Sequence, residues 1–524
     1  VRARSGLVRE FRTIDVLVFN IVAYAIGLVL VVTPTTLGAV YPQANISIIL
    51  SLGLILCLFN GVTYSLIGAA MPRSGGDYVF TGRVLHPSVG FTANWGLTWS
   101  QFLGLGVYTG WCVTEALSPS LVTLGYVLDN PRMIDLGASL SNPINVVILG
   151  TLILLSVLAI SLAGMHWLKR FLNTFFVFAM LGVALLLLVL LLANRNDFVT
   201  ALNAFFANFG INSSYQAISE AGHTLGIQSP SNAIMPSLLA LPLGYWVFLG
   251  FTFSVYIGGE VHQPDRAQIR GILGALLLGY FIYMLTFSQY YNVLGGTFIN
   301  TISMLPEDML EIFPAGTSMT FFVGLLAPNA ITAFIINVSV FLWFYLLLFI
   351  MAQVCVRNVF AWAMDRLVPN ALTKVSNKTA SPTIAVTVIL GFAWLFLLIH
   401  ALAGIIILNY IALLSVCFLV AGIAAVAFPW KRPRDFSSAP NIVKFKVLGV
   451  PIIVIAGIGN IILFIIVLYS AITNPGLSGV EGITPIFTLV AIYGAGYIYY
   501  LIAARVRKRG NIDIEVLLEE LPPE

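Results

Sequence analysis

Apolar residues along this chain run in long unbroken blocks rather than in alternation with polar ones. Twelve blocks reach spanning length: Ile14–Leu37, Ile46–Ala70, Gly90–Leu117, Ile144–Leu162, Phe171–Ala193 and Leu238–Gly259, then Gly271–Leu294, Ile331–Val354, Thr383–Leu402, Gly404–Phe428, Gly449–Ala471 and Ile483–Ala504. A hydrocarbon core roughly 30 Å thick takes about 20 apolar residues per helix, so each block predicts a transmembrane helix. Barrel strands would instead alternate over about ten residues. The pattern predicts one all-α integral membrane domain. Helices one to five lie in residues 14–193, a long loop in 194–237, helices six to ten in 238–428, and helices eleven and twelve in 429–504. Polar tails, 1–13 and 505–524, flank it.

Composition agrees: 59% of the 524 residues are hydrophobic and 9% are charged, against about 25% charged in soluble domains. Charge placement then sets the orientation. With the N-terminus inside, the tails and inner loops hold 23 of the 25 Lys and Arg residues, leaving only Arg132 and Arg195 outside. Basic residues concentrate on the cytoplasmic side of membrane proteins, so both termini are expected in the cytoplasm and the location in the cell membrane. The net charge of +4 follows from this bias and predicts no nucleic-acid partner. The N-terminal arginines Arg2, Arg4, Arg9 and Arg12 lead straight into a full span, unlike a cleaved leader. Cys57, Cys112 and Cys417 fall inside blocks and Cys355 directly follows the eighth; all four are expected as unbridged packing residues.

Two blocks carry helix-weakening residues. The first contains Gly27 and Pro34; the sixth reads Leu241-Pro242-Leu243-Gly244, then Phe248-Leu249-Gly250-Phe251-Thr252, and ends at Gly258-Gly259. Backbone opened in lipid is tolerated only where it lines a cavity or is buried in protein. Half-helix N-termini at such breaks can hold a carboxylate on free N–H groups. The alternative role for these glycines is close helix packing.

Several motifs resemble the amino acid–polyamine–organocation (APC) superfamily. Met71-Pro72-Arg73-Ser74-Gly75-Gly76-Asp77-Tyr78-Val79-Phe80 is similar to its P-x-S-G-G-x-Y motif, and Phe248 to Thr252 to its F-S-G-F-E segment. Glu260-Val261-His262-Gln263-Pro264 with Arg266 and Arg270 resembles its E-V-x-x-P-x-R-x-x-x-R element. Arg357 to Pro369, Pro382, Trp430 to Arg434 and Phe445 to Pro451 follow in the family's order. The resemblance implies a five-plus-five inverted repeat with broken helices one and six, two extra C-terminal helices, and alternating access. It also implies an amino acid permease whose substrate carboxylate and amine are held by Ala25, Ile26, Gly27 and Leu28 of helix one. Phe248, Leu249, Gly250, Phe251 and Thr252 of helix six would complete that site. The first-helix segment departs from the family's G-S-G-I-F in having one glycine, and Thr252 stands where the family has an acid. An apolar pocket with few charges suits a neutral solute. A polyamine or other organocation carrier of the same fold is the alternative.

Glu115 is the acid placed inside a block, and an intramembrane acid marks a candidate functional site. It is a candidate for a coupling proton or for pairing with a cationic substrate, and the polyamine reading predicts it at the site. A sodium ion would need oxygen ligands, with Asn337 and Ser339 as candidates. The family's helix-five lysine is absent, and Lys169 lies near the inner end. Arg357, Asp365 and Arg366 are expected to pair with one another or with inner loops including Asp77, forming an inner gate. Trp95, Trp99 and Tyr108, with Phe248 and Phe251, are candidate cavity aromatics. The five histidines show no metal spacing, no catalytic motif appears, and no filter sequence or charge ring suggests a channel. The expected partners are the lipid bilayer and a small solute, with no cofactor beyond a coupling proton or sodium ion.

Overall fold

The described residues of the computed structural model are 8–208, 214–232, 234–305, 317–404, 410–473 and 483–518. Arg2, Arg4, Pro306, Glu307, Asp308, Glu311, Glu519 and Glu520, and positions 405–409 of the tenth block, lie outside them. Ten helices among the described residues are long and apolar enough to cross a membrane. Ile46–Ala70 coincides with its block, while Pro264–Leu294 and Ala330–Met364 overrun theirs. The added turns carry Arg266, Arg270 and Arg357, which hydropathy reads as loop but which here continue the helices.

The two remaining blocks are interrupted. The third is a helix Pro87–Trp111, a π-helical turn Cys112–Leu117, and a further helix Ser118–Val127. The sixth, expected as Leu238–Gly259, is not a continuous helix. Short helices Ile234–Leu239 and Leu241–Trp246 lead into turns and then two 3₁₀ segments, Phe253–Tyr256 and Gly258–Glu260. The reason lies in the sequence: glycines at 244, 250, 258 and 259 lower helix propensity, and tertiary partners take over the backbone. Ser254 N–H donates to Asn20 Oδ1 at 2.9 Å, and Gln268 Nε2 donates to Ser254 C=O at 3.0 Å. Asn20 and Ser254 are linked again, Nδ2 to Oγ at 3.0 Å, and Ser254 Oγ donates to Gln268 Oε1 at 2.6 Å. All three residues are fully buried, so the irregular backbone is satisfied by protein, as a lipid environment demands.

The helices pack in two groups. Span seven lies along spans one and two, and span six against spans one, two and seven; span eight lies against spans three and five, and span nine against three and four. Spans ten and eleven pair at the flank. The long loop 194–237 holds two helices of its own, Arg195–Ala207 and Ser214–Thr224.

Both ends of the described chain meet one face, called here the terminal face. Glu10 and Phe11 N–H donate to Glu260 C=O at 2.9 and 3.0 Å, forming a bridge between Phe11 and Val261. Lys169 anchors this tail through Glu10, Nζ to C=O at 2.9 Å and to Oε2 at 3.4 Å. Although burial acts to raise it, hydrogen bonds from His166 and Lys169 and the ammonium's charge hold the Glu10 carboxyl below its ordinary value.

Candidate functional site

Span one breaks at Tyr24–Ala25, between helices Thr13–Ala23 and Ile26–Val40. Ala25 adopts the left-handed φ of +44° and supplies no side-chain cap. Such a conformation is uncommon for a residue with a Cβ and is held here by neighbours: Tyr24 OH donates to Ala275 C=O at 3.0 Å, and Tyr283 OH donates to Tyr24 C=O at 3.4 Å. The new helix therefore starts with the N–H groups of Ile26, Gly27 and Leu28 lacking intrahelical acceptors. The break thus precedes Gly27 rather than centring on it. Gly27 is helical and serves close approach, since an added Cβ would lie 2.6 Å from Trp343 Cδ1.

In span six the N–H groups of Phe248, Leu249 and Phe251 donate to the third carbonyl back, at 3.0, 3.0 and 3.2 Å. Gly250 takes φ +105°, and a Cβ there would lie 2.6 Å from the Ala23 carbonyl oxygen. The two breaks are therefore in direct backbone contact.

Between them sits a cavity of about 20 Å³ lined by Ala25, Leu28, Val29, Leu249, Phe253, Leu347, Tyr108, Trp246 and Tyr410, with Ala23 and Tyr24. That is room for about one water, so the site is contracted. Among the described residues, no Asp, Glu, Lys, Arg or His lines it. Gln101 Nε2 donates to Tyr410 OH at 3.0 Å, leaving that hydroxyl its own proton to donate. Of the residues named from sequence, Ala25, Leu28, Leu249 and Tyr108 line the cavity. Ile26, Gly27, Phe248, Gly250, Phe251 and Thr252 are buried at the breaks without lining it. Trp246, Phe253, Leu347 and Tyr410 escaped sequence reasoning, because an apolar or aromatic residue in an apolar block carries no mark of which face it presents. Trp95 and Trp99 instead join an aromatic stack with Trp362 and Tyr499, Trp95 to Trp362 at 5.8 Å.

Asn337 donates to Ala333 C=O of its own helix at 2.8 Å, and Ser339 to Ala179 C=O of span five at 2.6 Å. Neither lines the cavity at the breaks. Glu115 also lies elsewhere. It sits in the π-helical turn and lines a separate chamber of about 610 Å³ at the face away from the termini.

The terminal face is closed by three polar clusters. Arg357 grips Glu260 with two bonds, Nε to Oε1 at 2.6 Å and Nη2 to Oε2 at 3.2 Å, both side chains 1% exposed. Asp365 accepts from Arg83 Nη2 at 3.3 Å and from Tyr78 OH at 2.8 Å. Of the expected pairings, it is those with the inner loops that form: Arg357 takes Glu260 of the loop after span six, and Asp365 takes Arg83 and Tyr78 of the loop between spans two and three. Asp77 is fully buried beside no cation. Its carboxylate accepts from Tyr64 OH at 2.8 Å, Tyr256 OH at 2.7 Å, Asn94 Nδ2 at 3.0 Å and Cys417 Sγ at 3.3 Å. Burial pushes its carboxyl above the ordinary value while these four bonds pull the other way.

Known proteins carry the same chain-wide pattern. A model of the family described as amino acid permease matches residues 10–495. The branched-chain amino acid permease BcaP of Bacillus subtilis (strain 168) is 24% identical over 473 residues, covering 86% of this chain and 87% of that protein. Because the family match takes in both broken helices, the clusters of the terminal face and nearly all of the membrane domain, the chain belongs to the amino acid permease family and is a multi-pass membrane transporter, not an enzyme.

Proposed function

We propose that this permease is a secondary active transporter of the cell membrane that carries neutral, branched aliphatic amino acids by alternating access. The observation that carries the reading is the pair of touching helix breaks beside a wall in which no described residue is Asp, Glu, Lys, Arg or His. The N–H groups of Ile26, Gly27 and Leu28 would take the substrate carboxylate, since a helix N-terminus favours an anion. Carbonyls freed in span six would take the ammonium, and Leu28, Val29, Leu249, Phe253 and Leu347 the aliphatic side chain. The relative's branched-chain substrate class supports the same assignment. A polyamine fits less well, because the acid that reading needs, Glu115, does not line this cavity.

In this reading the twelve spans form two inverted five-helix repeats plus two C-terminal helices, with both termini cytoplasmic as the basic residues indicate. The chamber of about 610 Å³ is then the entry from outside, and the clusters of the terminal face are the closed inner gate. An ion gradient, of protons or sodium, supplies the drive. The test is uptake of a labelled amino acid panel by purified protein in liposomes, with proton and sodium gradients imposed separately. Saturable, gradient-dependent uptake of isoleucine, leucine and valine is expected. Uptake of a polyamine with none of any amino acid would overturn the assignment.

A further inference from the structure

The polar lining of the far-face chamber is a carboxylate and seven hydroxyls, set beside Val31, Val32, Trp111, Pro119, Val122 and Ala138. Among the described residues, Glu115, an acceptor when ionised, is the one charged side chain lining it, and no Lys, Arg or His does so. Four of the seven hydroxyl side chains lining the chamber have already committed their protons. Thr114 Oγ1 donates to Glu115 Oε1 at 3.3 Å, Thr35 and Thr36 Oγ1 both donate to Val32 C=O at 3.1 and 2.9 Å, and Ser141 Oγ donates to Ser118 Oγ at 3.1 Å. What Thr35, Thr36, Thr114 and Ser141 still offer the chamber is lone pairs. The π-helical turn Cys112–Leu117 widens span three where Glu115 projects, and such turns recur at functional sites.

The geometry points to a second, outer solute site in this chamber that recognises a primary ammonium group, with Glu115 as its anchor. An ammonium brings three donors and a positive charge to the Glu115 carboxylate and to the four hydroxyls that offer lone pairs. A bare metal cation needs six or more oxygens drawn in closely, which a chamber of about 610 Å³ does not provide, whereas a whole amino acid fits. The outer site also lies on the route inward. Val32 and Trp111 line the chamber while Val29 and Tyr108, one helical turn deeper, line the cavity at the breaks. Tyr108 and Trp111 meet edge to face at 5.2 Å and form part of the partition. A solute held by its ammonium at Glu115 would wait above that partition with its carboxylate and side chain free to enter first.

This inference rests on the reading of the chain as an amino acid carrier, and the experiment separates the two. Isoleucine uptake is measured in proteoliposomes over a range of concentrations for the unaltered protein, Glu115→Gln and Glu115→Asp, with isobutylamine and 3-methylbutyrate as competitors. Loss of one charged hydrogen bond predicts a KM raised about tenfold in Glu115→Gln, with the maximal rate and gradient dependence kept and Glu115→Asp intermediate. Isobutylamine, which has the ammonium alone, should inhibit the unaltered protein but not Glu115→Gln; 3-methylbutyrate should spare this step in both. Should Glu115→Gln not fold, isobutylamine should still produce a saturable change in fluorescence of the unaltered protein that Trp111→Phe removes. An unchanged KM in Glu115→Gln overturns the outer site, as does a loss of proton or sodium dependence in its place, or the absence of any isobutylamine response. Failure of the unaltered protein to take up any amino acid instead defeats the underlying assignment.

Discussion

Alanine at Gly250 meets two obstacles that no side-chain movement relieves. The residue sits at φ +105°, a region that residues with a Cβ rarely enter, and holding one there costs about 1–3 kcal/mol. The new Cβ also lands 2.6 Å from the Ala23 carbonyl oxygen, where ordinary contact begins at 3.4 Å. That oxygen belongs to the last helical residue before the break in span one, so relief requires the two spans to part, and such overpacking costs about 1–3 kcal/mol more. The total is about 2–6 kcal/mol. At about 1.4 kcal/mol per decade, even the low end depletes the native arrangement of the breaks about thirtyfold. Gly27→Ala is the natural comparison. Its Cβ would lie 2.6 Å from Trp343 Cδ1, but its helical backbone adds no strain and an indole can shift. Initial rates of isoleucine uptake in proteoliposomes, normalised to inserted protein, should therefore fall severely for Gly250→Ala and moderately for Gly27→Ala. Trp343→Phe should restore Gly27→Ala and leave Gly250→Ala unaided. A Gly250→Ala carrier within twofold of the unaltered protein, or rescue of it by Trp343→Phe, would refute the contact between the breaks as the working centre.

Arg357→Met strands a carboxylate that is 1% exposed and should lower stability by about 3–5 kcal/mol, while the double change with Glu260→Met should recover most of it; thermal unfolding of the four proteins in detergent closes the cycle. Leu347→Ala removes apolar wall at the cavity, at about 0.8 kcal/mol per buried methylene. Competition assays should show affinity for isoleucine falling about tenfold and bulkier aromatic amino acids gaining against it. Glu10 has a carboxyl held below its ordinary value, so its contribution to docking the N-terminal tail is full above the ordinary carboxylate range and is lost as pH falls through the lowered folded value. Protection factors at Phe11 and His262, whose backbone groups pair across that junction, should fall on acidification once exchange is corrected for its intrinsic pH dependence, and Glu10→Gln should remove that fall.

How far the sequence could be read depended on where the governing interactions lie. Span two is legible to the residue because Asn45 caps it, its side chain accepting from Ser47 N–H at 2.9 Å, and Pro72 follows its end. The interruption of span six is legible in its glycines and Pro242. The break in span one is legible only roughly, since Gly27 draws attention while Tyr24 and Ala25 do the turning. What turns them is the hydroxyl of Tyr283 and the carbonyl of Ala275, some 250 residues along the chain, and no local propensity encodes that. The same holds for the clusters of the terminal face. Arg357, Asp365 and Asp77 stand out as charges in apolar surroundings, yet their partners Glu260, Arg83, Tyr64 and Tyr256 are chosen by helix packing alone.

The two sides of the cavity at the breaks are closed by different chemistry, and this sets what a substrate must do. Toward the terminal face, span six is tied by Glu260 to Arg357 of span eight and by Tyr256 to Asp77, which Asn94 of span three also holds. Moving span six away from spans three and eight breaks a charged pair and a carboxylate bond together, both fully buried. Toward the far face the partition is aliphatic and aromatic, Val29 and Val32 on one side and Tyr108 and Trp111 on the other, and it yields to ring and rotamer movement. The terminal side therefore sets the larger barrier. A ligand shifts such an equilibrium only by binding one form better than the other. A solute anchored at one break alone gains nothing when span six moves relative to span one. In the alternating-access mechanism we propose, one that spans both, carboxylate on the first helix break and ammonium on the second, would bind differently as their spacing changes, and so would have the means to open the terminal side.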